Sequence, residues 1–229
     1  MSKKKLGDQV KKTYDLLLEM IITLKLKPGE VIVERDLEKQ TGMGRTPIRE
    51  ALLLLKQDYF VEREPHKSTY IKEIGLNDIK ELFEALLVTE KNLNLIALSR
   101  STPAELADIE EACNRIDTAI ASQDQWQISS ENIHFHNLIY QATKNKYLLI
   151  PAQKIRKHAE RLSHLSYRGR GRSSSSDTER HNKAISAQHK EMVRCLKERD
   201  SKGLESVTIE HIKYFREAVL GFIQDSHSF

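Results

Sequence analysis

The sequence contains little cysteine, glycine, proline or aromatic residue. Its two cysteines, Cys113 and Cys195, are too few and too far apart for a disulfide framework or a cysteine-based zinc site, which predicts a reducing compartment. Nine glycines, five prolines and 6% aromatic residues disfavour a β-sandwich or barrel and favour a mainly helical protein. No apolar run is long enough to span a bilayer, so we expect a cytoplasmic protein without a membrane partner.

Charge is distributed unevenly along the 229 residues. Residues 1–72 contain 15 lysines and arginines against 11 aspartates and glutamates, whereas the remaining residues contain 22 of each kind. A basic N-terminal module beside a larger neutral one is typical of a protein that contacts a polyanion at one end. The length suits two modest domains. Charge alone leaves open whether the polyanion is nucleic acid or an acidic membrane surface.

The stretch 44–56, Gly-Arg-Thr-Pro-Ile-Arg-Glu-Ala-Leu-Leu-Leu-Leu-Lys, predicts a helix with two different faces. Thr46 is a favourable N-cap residue, and Pro47 suits the first helical position. Apolar residues recur at helical spacing to form a core-facing stripe, while Arg45 and Arg49 project beside it. Arginines near a helix N-terminus can bind guanine edges or phosphates. The stretch is therefore either a DNA-recognition helix or an ordinary amphipathic helix with solvated arginines.

Further patterns lie on both sides of this stretch. Apolar residues at three- and four-residue steps predict a first helix over 9–24, and residues 34–40 predict a short second helix that ends near Gly42. Two short helices joined by a glycine-containing turn have the proportions of a helix-turn-helix. Residues 59–63 and 68–71 are β-prone, which predicts a hairpin, or wing.

In these motifs the chain resembles the winged helix-turn-helix of the GntR superfamily of bacterial transcription regulators. The matching motifs are Leu-Lys-Pro-Gly at 26–29, Glu-Arg-Asp-Leu at 34–37, Gly-Arg-Thr-Pro-Ile-Arg-Glu-Ala-Leu at 44–52 and Val-Glu at 61–62. The resemblance covers nearly all of residues 9–72 and implies DNA contacts at the positions that match the family. The main contacts would be made by Arg35, Arg45 and Arg49. Thr46 would contact the DNA backbone, and the wing tip, with His66 and Lys67, would enter the minor groove.

Beyond residue 75 the pattern changes to long helices. We expect helices over about 78–99, 103–120, 128–144, 148–167, 177–196 and 204–222. Asn77 is the expected cap of the first, Thr102 and Glu105 form a capping box for the second, and residues 168–176 form a polar loop. The expected architecture is mainly α, with a winged helix-turn-helix in residues 1–74 and an antiparallel all-helical bundle in residues 75–229.

Three of the nine histidines occupy positions that could form a site in this bundle. His136 follows Asn132 by one helical turn, so both project from the same helix face, and His189 and His211 lie in two further helices. A helical bundle can bring three such helices together. Three imidazoles and a side-chain oxygen suit a divalent cation such as Zn²⁺ or Ni²⁺. The alternative is that these histidines are hydrogen-bonded core residues.

The second part of the chain resembles the FCD effector-binding domain of the FadR-like branch of GntR regulators. The matching residues are Asn132, Phe135, His136, Ala142, Asn145 and Leu148, followed by His189, Leu196, Asp200, His211 and Ile212. The resemblance implies a divalent metal on Asn132, His136, His189 and His211, which would hold a small organic acid by its carboxylate. Relatives often have arginine at the position of Leu86, and its absence leaves Arg156 and Arg161 as candidates for binding the acid.

Together these resemblances imply a ligand-responsive transcription repressor, not an enzyme, that acts as a homodimer on the bacterial nucleoid. A dimer is also favoured because one short helix reads only a few base pairs. The expected partners are double-stranded operator DNA and a carboxylic acid. Two other hypotheses fit the same residues: a metal-dependent hydrolase whose three-histidine site activates water, and a metal or metabolite buffer. The hydrolase lacks an obvious general base.

Overall fold

The computed structural model describes residues 3–63, 68–170 and 175–226. The fold is mainly α, as predicted, and divides into two compact units after Asp78. Within the described ranges, every helix is too short or too polar to serve as a membrane span.

The first unit is a winged helix-turn-helix, as the sequence predicted. Its elements are α1 (Lys3–Ile22), β1 (Val31–Ile32), α2 (Glu34–Thr41), α3 (Arg45–Gln57), β2 (Val61–Arg63) and β3 (Thr69–Ile71). The three strands form one antiparallel sheet in the order β1-β3-β2, with Val61 opposite Ile71. Strand β1 was not predicted, because two residues are too few to show an alternating pattern.

The core of this unit is formed by the apolar stripes of the helices. On α3 the buried residues include Ile48, Ala51, Leu52 and Leu55, which are the stripe expected from the sequence. They pack in one cluster with apolar residues of α1, α2 and the sheet, among them Leu17, Ile21, Leu37 and Ile71. Burial of one face of α3 leaves the neighbouring face, which carries Arg45 and Arg49, in solvent.

The start of α3 corrects the prediction that Thr46 is the N-cap. The helix begins at Arg45, and the N-cap is Gly44, which has extended backbone (φ −73°, ψ 161°) and no side-chain capping bond. The Gly44 carbonyl accepts a hydrogen bond from the amide of Ile48, at 3.2 Å. Pro47 is tolerated because amides of the first turn have no acceptor within the helix. Thr46 therefore lies in the first turn with its side chain exposed.

Six helices make up most of the remaining described chain. They are α4 (Leu76–Arg100), α5 (Pro103–Ala121), α6 (Gln125–Ala142), α7 (Lys146–Arg170), α8 (Ser175–Glu198) and α9 (Ser201–Ser226). Helix α5 packs on α6 and α8, α7 packs on α6 and α9, and α8 packs on α9. Short connections make successive helices antiparallel, so this unit is the predicted all-helical bundle.

The ends of these helices agree with the sequence prediction at one cap and differ from it at another cap and at one loop. The capping box is confirmed: the Thr102 hydroxyl accepts from the Glu105 amide, and the Glu105 carboxylate accepts from the Thr102 amide. Asn77 is not a cap, because α4 begins one residue earlier. The loop expected at 168–176 is shorter than predicted, since α7 continues to Arg170 and α8 begins at Ser175. The rest of that loop, residues 171–174, lies outside the described residues.

The bundle core fixes the rotation of the helices that carry the histidines. Phe135 on α6, Met192 on α8 and Leu204 on α9 belong to one buried cluster. Phe135 immediately precedes His136, and Met192 lies three residues after His189. Apolar packing on these turns therefore directs the two imidazoles into the interior of the bundle.

Candidate metal centre and nucleic-acid interface

Helices α6, α8 and α9 bring His136, His189 and His211 together; we call these three residues the histidine cluster. All three are buried, and each offers one ring nitrogen such that the three nitrogens lie within 4.8 Å of one another. The ring centroids are 4.8–5.4 Å apart. A single cation could be bound between them if the side chains moved closer together, because Zn–N distances are about 2.0–2.1 Å.

The ring nitrogens of the cluster have few protein partners. Within the described part of the chain, neither nitrogen of His136 nor of His189 has a hydrogen-bond partner. Leaving a buried polar group unpaired costs about 1–3 kcal/mol. Hydrogen-bonded core histidines would not show this pattern, so the arrangement favours a bound group over that alternative.

Burial keeps the cluster neutral. Desolvation, with a smaller contribution from the positive charge of Arg156, lowers the pKa of His136 and His211 well below the usual range and that of His189 to about 3. A neutral imidazole has a free lone pair, which is the form that binds a metal ion. The three histidines are thus held in the protonation state that metal coordination requires.

One member of the cluster has a fixed orientation. The Nδ1 atom of His211 lies 3.0 Å from Oε1 of Gln188. With its proton on Nδ1 and donated to that oxygen, His211 presents the lone pair of Nε2 to the cluster. Gln188 precedes His189 in α8 and was not singled out by the sequence analysis, because a glutamine beside a histidine carries no pattern of its own.

Asn132 lies beside the cluster. It belongs to α6, one turn before His136, and its Oδ1 is buried with no hydrogen-bond partner in the described residues. Asn132 and His211 both line a cavity of about 50 Å³. His134, on the same helix, is exposed. The available donors are three imidazole nitrogens and one amide oxygen, all neutral, a set that fits a borderline divalent cation.

A buried carboxylate, that of Glu90, lies close to His136 of the cluster. Oε1 of Glu90 accepts hydrogen bonds from the Tyr140 hydroxyl at 2.7 Å and from Nη1 of Arg156 at 2.6 Å. Its Oε2 lies 3.8 Å from Nδ1 of His136, too far for a hydrogen bond. Arg156, predicted to bind an acid ligand, therefore pairs with Glu90 while it also lines the cavity. Arg161 is buried but is not among the residues that line this cavity in the described chain.

The predicted DNA-contacting arginines form a second, exposed site, which we call the recognition edge: Arg45 and Arg49 on α3 with Glu34 on α2. The arginine side chains are 66% and 54% exposed. Nε of Arg49 donates to Oε2 of Glu34 at 2.8 Å, and Nε of Arg45 donates to the same oxygen at 3.3 Å. These bonds engage Nε and leave the terminal Nη groups to meet another acceptor.

The other predicted DNA-contacting residues fall in two groups. Arg35 and Thr46 are exposed. His66 and Lys67 lie outside the described residues. Glu34 belongs to the Glu-Arg-Asp-Leu motif, but its pairing with two arginines of α3 was not expected, because sequence spacing does not show which side chains meet across two helices.

A winged helix-turn-helix joined to an all-helical ligand domain defines a class of bacterial DNA-binding regulators. Comparison with known families places the chain within that class. Residues 9–71 match the family described as bacterial regulatory proteins, gntR family, and residues 81–214 match the FCD domain. The chain therefore belongs to the GntR family of bacterial transcription regulators, in the branch with an FCD domain.

Individual relatives agree with this assignment. The chain is 24% identical over 206 residues to the HTH-type transcriptional regulator YdhC of Bacillus subtilis, covering 88% of this chain and 86% of YdhC. It is 26% identical over 185 residues to the gluconate operon transcriptional repressor of Bacillus licheniformis, covering 79% and 72% of the two chains. The solved structure of Escherichia coli McbR/YncC has the same fold, with a TM-score of 0.80, 21% identity and coverage of 95% and 98%.

The two families and these relatives are transcription regulators rather than enzymes. The family therefore implies that the winged helix-turn-helix binds DNA and that the FCD domain binds a small-molecule effector. This favours a regulator over both the metal-dependent hydrolase and the buffer.

Proposed function

We propose that this protein is a homodimeric transcription repressor whose FCD domain binds a divalent metal and, through it, the carboxylate of a small organic acid. One observation carries the metal proposal: three buried, neutral imidazoles place their nitrogens within 4.8 Å of one another, and those of His136 and His189 have no partner among the described residues. A cation would satisfy these lone pairs and offset the cost of burying them.

The proposed ligands are Asn132, His136, His189 and His211. Because all four donors are neutral, a bound Zn²⁺ or Ni²⁺ would keep its full positive charge and attract an anion. The metal would supply a Lewis-acidic position for a carboxylate oxygen. The protein contributes orientation, through Gln188 at His211, and exclusion of water, through the packing of Phe135 against the His189 ring at 4.6 Å.

The proposed DNA contacts come from the first unit. Arg35, Arg45 and Arg49 would contact base edges and phosphates, Thr46 the backbone, and His66 and Lys67 the minor groove. Exposure of the four described residues supports this role. We assign DNA binding to residues 1–74 and metal binding, effector binding and dimerisation to residues 75–229, in a protein that works in the bacterial cytoplasm on the nucleoid.

Repression is proposed because a relative that matches 185 residues of this chain, the gluconate operon transcriptional repressor, is named as a repressor. In a dimer, two recognition helices read paired half-sites whose spacing must match their separation. An acid that binds one dimer shape more tightly than another would shift the population toward that shape and change operator affinity.

The test combines metal analysis with DNA titration. Full-length protein would be loaded with Zn²⁺ or Ni²⁺, freed of excess metal and titrated onto operator fragments selected from a random-sequence library, at two salt concentrations. We expect one metal ion per chain and tight, salt-dependent binding of the selected DNA. Failure to retain metal would overturn the metal proposal, and equal binding of selected and random DNA would overturn the operator proposal.

A further inference from the structure

The cavity beside the histidine cluster contains a carboxylate that the proposed metal site does not use. Glu160 lies on α7, one turn after Arg156, and lines the cavity together with Asn132 and His211. Its side chain is 17% exposed, and its Oε1 lies 3.9 Å from Nε2 of His164, too far for a hydrogen bond. The cavity therefore has a metal-ligand side and a carboxylate side.

The cations that act on Glu160 do not offset the cost of its burial. Arg156, one turn before Glu160 on α7, pairs through its Nη1 with Glu90 at 2.6 Å. Desolvation raises the pKa of Glu160 to about 7, even though Arg156 and Lys157 act in the opposite direction. A buried carboxylate in this state is stabilised by a cationic hydrogen-bond donor.

The metal side of the cavity would instead carry an excess of positive charge. A divalent cation on Asn132 and three neutral imidazoles keeps two positive charges, which a carboxylate on the ligand would partly offset. A ligand that fits both sides thus carries both a carboxylate and a cationic group.

We propose that Glu160 binds a protonated amine of the effector, so that the organic acid recognised by this protein is an amino acid. This inference rests on the proposed metal-and-acid function and deepens it. The rest of the lining combines the polar residues Ser129, Ser163, His181 and Asn182 with the apolar residues Ile116, Ile120, Ile128, Ile133, Ala159, Ile185 and Phe215. The apolar part of this lining suits a small aliphatic side chain.

The test uses three probes that share one branched five-carbon skeleton: L-valine, 2-hydroxyisovalerate and isovalerate. Each would be titrated calorimetrically onto metal-loaded, full-length protein. An ammonium on Glu160 should make L-valine bind at least about tenfold more tightly than isovalerate, since hydrogen bonds to charged groups contribute that much. The hydroxy acid, which can donate a hydrogen bond without a charge, should fall between them.

The variant Glu160→Gln keeps the shape of the side chain and removes its charge. It should reduce the preference for L-valine over isovalerate to less than about threefold. Glu210→Gln, at an exposed position of α9, is the matched control and should keep the wild-type preference.

Three results would overturn the inference: equal binding of L-valine and isovalerate, a preference that survives in Glu160→Gln, or no binding of any probe by protein that contains its metal. Metal content would be measured on the same samples. Loss of metal from the wild-type protein would instead count against the proposed metal site, so the two failures are distinguishable.

Discussion

The recognition edge and the histidine cluster both concentrate nitrogen-bearing side chains, but in opposite environments. Arg45 and Arg49 are more than half exposed, charged and held by Glu34. The histidines are buried and neutral, and two of them have no hydrogen-bond partner within the described residues. Solvated cations can bind a large polyanion without prior desolvation of the whole site, whereas buried lone pairs select a small cation.

This difference indicates which conditions each site should respond to. Affinity at the recognition edge should depend on salt, because phosphate binding releases counterions. Affinity at the cluster should depend little on salt and strongly on metal supply, because buried charges are poorly screened. Four variants test the contrast, in order of decreasing expected effect.

Removing one imidazole should have the largest effect. We expect His189→Ala to lower metal affinity by more than about 100-fold, since even outer-shell partners of a metal contribute about 10- to 100-fold. Competition with a chromogenic chelator measures the change. His134→Ala, at an exposed position of α6, is the control and should bind metal like the wild type. Equal metal affinity in both variants would remove His189 from the ligand set.

At the recognition edge, Arg49→Ala should weaken operator binding by about 1–3 kcal/mol if the arginine makes a bidentate base contact. Its exposed side chain packs little, so the melting temperature should hardly change. Fluorescence anisotropy with labelled operator measures the affinity, and Gln57→Ala at the exposed end of the same helix is the control. A melting temperature that falls as much as the affinity would indicate a structural role.

The buried carboxylate should make stability depend on pH. Because the folded state raises the pKa of Glu160 from 4.5 to about 7, the wild-type protein loses stability as pH rises through that interval. In the presence of a metal chelator and without ligand, Glu160→Gln should therefore be more stable than the wild type by about 1–3 kcal/mol at pH 8. Urea unfolding at pH 5 and pH 8 checks this, and a stability difference that does not change with pH would contradict it.

The smallest effect is expected at Glu34. Glu34→Gln removes the negative charge beside Arg45 and Arg49, an exposed interaction worth less than about 1 kcal/mol. The freed arginines should bind random DNA more tightly, while loss of their orientation lowers the ratio of operator to random binding a few-fold. Titration of both DNAs at two salt concentrations measures that ratio. An unchanged ratio would show that Glu34 does not orient the arginines.

The sequence predicted the fold more completely than the site. Helical periodicity is a local property, so the buried stripe of α3 and the capping box at Thr102 could be predicted directly. The cap of α3 could not, because Gly44 and Thr46 are both acceptable cap residues and packing of α3 decides between them. Strand β1 could not be predicted either, because two residues are too few to show an alternating pattern.

At the site, the histidines were recognisable because they are chemically rare and match a family motif. Their surroundings were not. Glu90 and Arg156 are 66 positions apart, and Glu34 and Arg49 are 15 apart, so only the packed helices show that these side chains meet. Burial, which leaves Glu160 poorly solvated, likewise arises from the assembled bundle and not from residue spacing.

The contact between Gln188 and His211 also makes the proposed metal site sensitive to helix rotation. Gln188 and His189 are consecutive residues of α8, and each is engaged with the cluster, one through a bond to His211 and one through its own ring. Successive residues of a helix are turned by about 100° relative to each other. A shift of α8 by one residue would place Gln188 or Lys190 at the position that His189 occupies. A metal ion bound to His189 would therefore also stabilise the present register of α8 against α9.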